Sequence, residues 1–309
     1  MVFGAGAIGS VIGARLALAG EEVGLVGRAP HVEAIRAEGL RVEGLSGSPF
    51  RIPAWTELPE RFHADRVILT VKTFDIEAAG SALARGLAGP TLVLALENGL
   101  GVEGRLAGAL SSAGWPGAGR WVERGVNTIP ATLTGPGRVR LAGDGEVILG
   151  RTGPADGAPE AFGPLLSRAG IRVRFVDSIA REVWRKALVN AAINPVTADF
   201  GVENGRLADD PWRGQAIALL HEARAAAGSE GFDFTEEEAE GELFRVVRAT
   251  ARNRSSMLQD LDAGRPTEVD AISGALLDIG RRHGLPMPST ERAVRRIRAR
   301  VEDREAARR

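Results

Sequence analysis

The sequence predicts an α/β protein: a doubly wound parallel sheet followed by an all-α C-terminal domain. Three observations carry this expectation. Short β-type runs alternate with helical patterns through the first half, two of those runs are apolar almost throughout, and the pattern from residue 179 onward is helical alone. A run without polar alternation suits a strand buried on both faces, as in a parallel sheet covered by helices on either side. At 309 residues the chain is too long for one ordinary core and about right for two domains. These are placed at residues 1–177 and 178–309.

The elements follow in order. Met1-Val2-Phe3 is the first β run and leads into Gly4-Ala5-Gly6-Ala7-Ile8-Gly9, after which residues 8–19 are helical up to Gly20. Only three residues precede Gly4, so the first strand is very short or the true start lies upstream. Residues 22–27 form a second strand and residues 30–38 a second helix. The apolar runs 66–71 and 91–96 are each followed by a helical pattern, which completes the β-α alternation. Residues 121–176 turn to short strands rich in Gly and Pro, with one helix near 159–168. Helix breaks are expected at Asn194-Pro195, residues 228–234, Gly264-Arg265-Pro266 and Gly284-Leu285-Pro286. The tail, residues 291–309, has large apolar residues only at Val294, Ile297 and Val301, so it is expected to be a narrow-faced helix that frays. Its arginines and acids are read as a solvated face.

Composition excludes several classes of function. A formal net charge of −1 offers no global field for nucleic acid or an anionic membrane. No apolar run approaches the roughly 20 residues that span a bilayer, and no secretory signal is read at the N-terminus. Without cysteine there is no disulfide, no thiolate chemistry and no cysteine metal site. His31, His63, His221 and His283 show no metal-ligand spacing. The expectation is a cytoplasmic protein that binds no metal; the residues leave a homodimer open. Of 39 basic residues only Lys72 and Lys186 are lysines, the rest being arginine. A lysine kept in so arginine-rich a chain is a candidate for chemistry that arginine cannot do, because a buried lysine can exchange a proton.

The glycine turn sits between a β run and a helix, with a second strand following, which is the context that turns a weak motif into a dinucleotide site. The glycines allow a tight turn and close approach to a pyrophosphate, whose charge rests on the helix N-terminus. An acid at the end of the second strand would bind a ribose 2′-hydroxyl and point to NAD; the chain reads Leu25-Val26-Gly27-Arg28 instead. Arg28 is placed to meet a 2′-phosphate, which favours NADP(H), although a solvated surface arginine would look the same. Lys72 and Asn98 follow strands at the carboxyl edge of the sheet, where ligands bind in open α/β folds. Turn chemistry is the plain alternative for both.

The second domain carries the reaction chemistry. At about 100° per residue, Lys186, Asn190 and Asn194 share one face of a helix that is otherwise apolar from Ala187 to Ile193. A buried cation and two amides need partners, supplied by a substrate or by an internal polar network. Pro195 disfavours helix at Asn194 and is expected to end or bend it there. Asn253, Ser256 and Asp260 fall on one helix face. Thr267-Glu268-Val269-Asp270 fits a helix start with Thr267 as cap, and Glu268 there could simply complement the helix dipole.

Together these residues resemble the ketopantoate reductase (2-dehydropantoate 2-reductase) family along nearly the whole chain. The matching motifs are the glycine turn, Val71-Lys72, Asn98-Gly99, Trp184-Arg185-Lys186 through Asn190 to Ile193-Asn194-Pro195, Asn204-Gly205, Asn253 with the run from Ser255 to Asp260, and Thr267-Glu268. The resemblance implies a Rossmann domain joined to a helical domain, with the active site in the cleft between them. It implies reduction of a small 2-keto acid, 2-dehydropantoate, to pantoate by NADPH on the route to pantothenate and coenzyme A. Lys186 would be the general acid, Asn190, Asn194 and Asn204 would hold the substrate's oxygens, and Asn253 and Ser256 its carboxylate. Lys72, Asn98 and the backbone near Ala131 would contact the cofactor, with Asn98 also facing substrate, and Glu268 would line the junction of the two. Glu97 departs from the Gln or His usual in the family, and residues 125–130 depart from its Thr-rich pattern. Reduction of a different 2-keto acid, a β-hydroxyacid dehydrogenase and a non-catalytic NADP sensor are the alternatives. The Ser255-Ser256-Met257 run and Glu268 argue against the second.

Overall fold

The computed structural model describes residues 1–150 and 157–306. The chain divides into two compact units, residues 1–182 and 183–309.

The first unit opens on β1 (Val2–Phe3), α1 (Ala7–Leu18), β2 (Leu25–Val26), α2 (Ala29–Glu38), β3 (Arg41–Glu43) and β4 (Ala54–Trp55). It continues with β5 (Arg66–Leu69), α3 (Ile76–Gly86), β6 (Leu92–Ala95), α4 (Val102–Ser112) and β7 (Val122–Asn127). Then follow β8 (Ala131–Gly135), β9 (Arg138–Leu141), β10 (Glu146–Gly150), α5 (Ala158–Arg168) and β11 (Arg172–Val176). Eight strands make one sheet in the order β11-β10-β7-β6-β5-β1-β2-β4, and β3-β9-β8 make a second. The large sheet is parallel except where β10 runs against β7.

The near-continuous apolar runs are strands covered on both faces, as their pattern predicted. Along β5, Val67 and Leu69 pack into one cluster with Leu83, Leu106 and Leu110, while Ile68 packs into the other with Val11, Ile12 and Ile35. β6 repeats the alternation, with Val93 and Ala95 in one cluster and Leu94 in the other. Successive side chains leave a strand on opposite faces, so a strand with helices on both sides must be apolar at every position.

The strand order places the binding edge. After β1 the chain steps outward to β2 and β4, then returns to the other side of β1 to lay down β5. The connections leaving β1 and β5 therefore diverge, which is where open α/β sheets bind ligands. Buried His31 ties the small sheet to the glycine-turn helix: its Nδ1 accepts from the Gly137 amide at 2.9 Å, and its Nε2 lies 3.0 Å from Ser10 Oγ. An Nδ1 that accepts carries no proton, so the ring is the neutral Nε2–H form. Burial pushes its pKa below the ordinary value.

The second unit is helical, with α6 (Ile179–Phe200) crossing the division in its first turn, then α7 (Trp212–Ser229) and α8 (Glu236–Ala249). α9 (Ser256–Asp262), α10 (Ala275–His283) and α11 (Pro288–Ala306) complete it, with a π-helical segment Asp270–Gly274 leading into α10. No helix of the described residues is long and apolar enough to cross a membrane.

Three local expectations differ from the structure. α6 does not end at Pro195 but runs on to Phe200. Residues 191–199 are all buried, and that packing outweighs the lost backbone donor. Asn253 lies before α9 rather than on it, because Ser255 caps that helix by accepting from the Leu258 amide at 3.2 Å. Asp270 is not a capping partner of Thr267; it pairs with Arg298 at 2.6 Å.

The described tail does not fray. Glu222 caps α11 by accepting from the Ser289 and Thr290 amides and the Thr290 hydroxyl, at 2.7–2.8 Å. Val294 and Ile297 pack with Met257, Leu258 and Leu261. Buried Asp199 pairs with Arg296 at 2.6 Å and Arg300 at 2.8 Å. Arg296, Arg298, Arg300 and Arg304 reach acids on other elements while their side chains remain about half exposed, so the face is solvated and also paired. Residues 307–309 lie outside the described part.

Candidate active site

The glycines of the turn after β1 are required for different reasons. Gly4 has φ +106°, and a Cβ on it would sit 2.6 Å from the Val71 amide nitrogen, beyond the end of β5. A Cβ on Gly9 would lie 2.3 Å from the Gly4 carbonyl oxygen and 2.5 Å from Thr70 Oγ1, which itself donates to that carbonyl at 2.8 Å. These two positions are closed by the protein's own packing. Gly6 is exposed, and its nearest neighbour would be 4.0 Å away. Nothing among the described residues needs a glycine there, whereas a ligand lying against the backbone would.

α1 starts at Gly6 with no side-chain cap and no acid in its first turn. Its free amides and positive dipole end suit an anion. Ala5 is buried and hydrogen-bonded to Val26, while Ala7 and Ile8 are half-buried. The donor set and the open Gly6 fit a dinucleotide pyrophosphate.

Other connections of the same sheet bring further polar groups. Arg28 follows β2 at the N-cap position of α2, and its side chain makes no cap bond there. Lys72 follows β5 and begins the turn Thr73–Asp75; it is half-buried, as is Asn98 beyond β6. Thr73 Oγ1 donates to the Asn98 carbonyl at 3.3 Å, which joins the Lys72 and Asn98 connections. Half-buried Ala131 opens β8 and packs against the cluster that includes Val11 and Ile12 of α1.

The connection holding Asn98 is clamped by Arg124 of β7. The fully buried guanidinium donates to the carbonyls of Ala95 at 2.9 Å, Gly125 at 3.0 Å, Glu97 at 2.6 Å and Gly99 at 3.3 Å. Burial pulls its pKa down, and Glu97 and Glu103 beside it pull the other way. Buried Glu97 therefore has a cation next to it. In sequence the signal is the adjacent charged pair Glu123-Arg124 inside the strand Val122–Asn127, both of them buried.

In the second unit, Lys186 and Asn190 are half-buried along α6 and Asn194 is buried. Thr197 Oγ1 back-bonds to the Ile193 and Asn194 carbonyls at 2.9 and 3.2 Å, and lies 2.7 Å from Ser255 Oγ. This stitches the Asn194 turn to the cap of α9, whose first residue is exposed Ser256. The Asn204 amide donates to the Asn253 carbonyl at 2.9 Å and Gly205 to Ala251 at 2.9 Å, so Asn204 and Asn253 share one locality. Buried Glu268 lies just before the π-helical segment.

Two amide atoms stand out. Asn194 Nδ2 and Asn204 Oδ1 are buried with no hydrogen-bond partner among the described residues. The orientation of Asn204 follows from chemistry. Thr250 Oγ1 spends its proton on the Val246 carbonyl at 2.7 Å and so can only accept, which turns the Asn204 NH2 toward it at 2.9 Å. Oδ1 is thereby left over. An unmade hydrogen bond on a buried polar group costs about 1–3 kcal/mol.

A family model described as ketopantoate reductase PanE/ApbA matches residues 1–154, and one described as ketopantoate reductase PanE/ApbA C terminal matches residues 178–301. The chain belongs to the ketopantoate reductase family. It is an oxidoreductase. A 2-dehydropantoate 2-reductase of Archaeoglobus fulgidus is 39% identical over 287 residues, covering 92% of this chain and 91% of the relative. Among solved structures, a PanE/ApbA family ketopantoate reductase from Ralstonia eutropha superposes with a TM-score of 0.86 at 29% identity, covering 99% of this chain and 100% of that one. D-mandelate dehydrogenase with NADH and anilino(oxo)acetate superposes with a TM-score of 0.88 at 26% identity, covering 98% and 99%. Beyond the residues that the family resemblance singles out, this ketopantoate reductase family chain adds Arg124, Asp75, Thr197 and Thr250, which act through contacts across long stretches of sequence.

Proposed function

We propose that the protein reduces 2-dehydropantoate to pantoate with NADPH, Lys186 acting as general acid. The observation that carries this is the pair of unmet amide atoms, Asn194 Nδ2 and Asn204 Oδ1. One lacks an acceptor and the other a donor. A 2-keto acid supplies acceptors through its ketone and carboxylate, but only one that also bears a hydroxyl supplies the donor. 2-Dehydropantoate has that terminal hydroxyl.

The cofactor, when bound, supplies the hydride for the carbonyl carbon. Gly4, Ala5, Gly6, Ala7, Ile8 and Gly9 would hold its pyrophosphate, Arg28 its 2′-phosphate, and Lys72, Asn98 and Ala131 the rest. As negative charge grows on the ketone oxygen, the Lys186 ammonium stabilises it and gives up a proton, so C=O becomes CH–OH with hydride and proton both accounted for. Asn190, Asn194 and Asn204 orient the substrate's oxygens, Asn253 and Ser256 receive its carboxylate, and Glu268 lines the junction of substrate and cofactor. The likeness to D-mandelate dehydrogenase favours a second reading, the same machinery serving an aryl 2-keto acid.

Steady-state cofactor oxidation with a substrate panel separates these. 2-Dehydropantoate should exceed 3-methyl-2-oxobutanoate, which has the branched carbon but no hydroxyl, by about 10²-fold in kcat/KM. Equal values would remove the role given to Asn204, and preference for an aryl 2-keto acid would favour the second reading.

A further inference from the structure

We propose that Asp75 sets the cofactor choice of this protein, opposing a 2′-phosphate at Arg28 and accepting the 2′-hydroxyl of NADH, so that both cofactors are used. This rests on the dinucleotide reading above. Arg28 Nη2 donates to Asp75 Oδ2 at 3.1 Å. The two residues are 47 positions apart in sequence but adjacent in space, because β2 and β5 both pair with β1. The ion pair therefore spans the edge beyond the end of β1, where the glycine turn begins.

Its exposure argues against a structural role. The Arg28 and Asp75 side chains are 68% and 42% exposed, and an ion pair that open to water adds little to stability. Both charges stay within reach of a ligand.

Their chemistry divides the two cofactors. A 2′-phosphate carries nearly two negative charges and would meet Arg28 with a carboxylate already at the guanidinium, so attraction and repulsion act together. A ribose 2′-hydroxyl has a proton to donate, and the Asp75 carboxylate is an acceptor for it. This is the role of the acid usually found after the second strand. In this chain the acid comes from the turn after β5 instead. Arg28 has five donor hydrogens, and Asp75 is bonded only through Nη2, so a phosphate can still be held.

Direct titration of the purified full chain with NADH and NADPH, read by cofactor fluorescence, tests this without any substrate. The wild type should bind the two with Kd values within about tenfold of each other. Asp75→Asn and Asp75→Ser should each shift the Kd ratio toward NADPH by about tenfold, and Arg28→Ala should shift it toward NADH. A general loss of folding would weaken both cofactors together and leave the ratio alone, so the ratio is the readout. If both Asp75 variants keep the wild-type ratio, Asp75 does not set the choice. If the wild type binds neither cofactor, the dinucleotide reading of the glycine turn fails and this proposal with it.

Discussion

The glycine-turn edge of the first unit and the polar face of the second are opposite kinds of surface. At the turn, the groups proposed to meet a ligand are backbone amides, and Gly4 and Gly9 are fixed by close packing against Thr70 and Val71. In the second unit the groups are side chains in a buried setting, and two amide atoms lack partners. The first region is shaped by what is sterically forbidden; the second keeps polar groups at a cost in stability. Binding at the turn is consistent with a ready-made fold, and chemistry at the polar face with bonds left for a substrate to complete.

Substitutions at the turn should have the largest effects. Gly9→Ala forces a methyl group against the Gly4 carbonyl and Thr70, so unfolding should become easier by about 1–3 kcal/mol and cofactor binding should vanish. Gly6→Ala meets open space, so denaturant unfolding should match the wild type while NADPH affinity falls by about tenfold or more. If Gly6→Ala binds normally, the open position does not face a ligand. In the second unit the expected change is smaller and of opposite sign. Asn194→Leu removes an unmet donor from a buried site, so urea unfolding should show a gain of about 1 kcal/mol while KM for the 2-keto acid rises. A loss of stability in that variant would mean the amide is satisfied in the free protein.

The two regions also differed in how far the sequence revealed them. Apolar continuity in residues 66–71 and 91–96 and the glycine spacing are local patterns, and both emerged as expected in β5, β6 and the turn. Lysine scarcity pointed to Lys186, helix spacing to Asn190 and Asn194, and the family resemblance to Asn204. What stayed hidden was long-range pairing. Asp75 meets Arg28 across 47 residues, Arg124 reaches back to the Ala95–Gly99 carbonyls, and Asp199 gathers arginines from α11. Local rules also gave way where burial outweighed them. Pro195 sits inside a helix because everything around it is packed, and Asn253 left its expected helix face because Ser255 took the cap.

Lys186 is the lysine of α6 on which the proposed proton transfer depends. The most direct measurement is kcat for 2-dehydropantoate reduction by Lys186→Ala, taken beside the NADPH Kd of the same variant. Turnover should fall by about 10²–10⁴-fold while the Kd stays within about threefold of the wild type. A variant that turns over at nearly the wild-type rate would contradict the assignment.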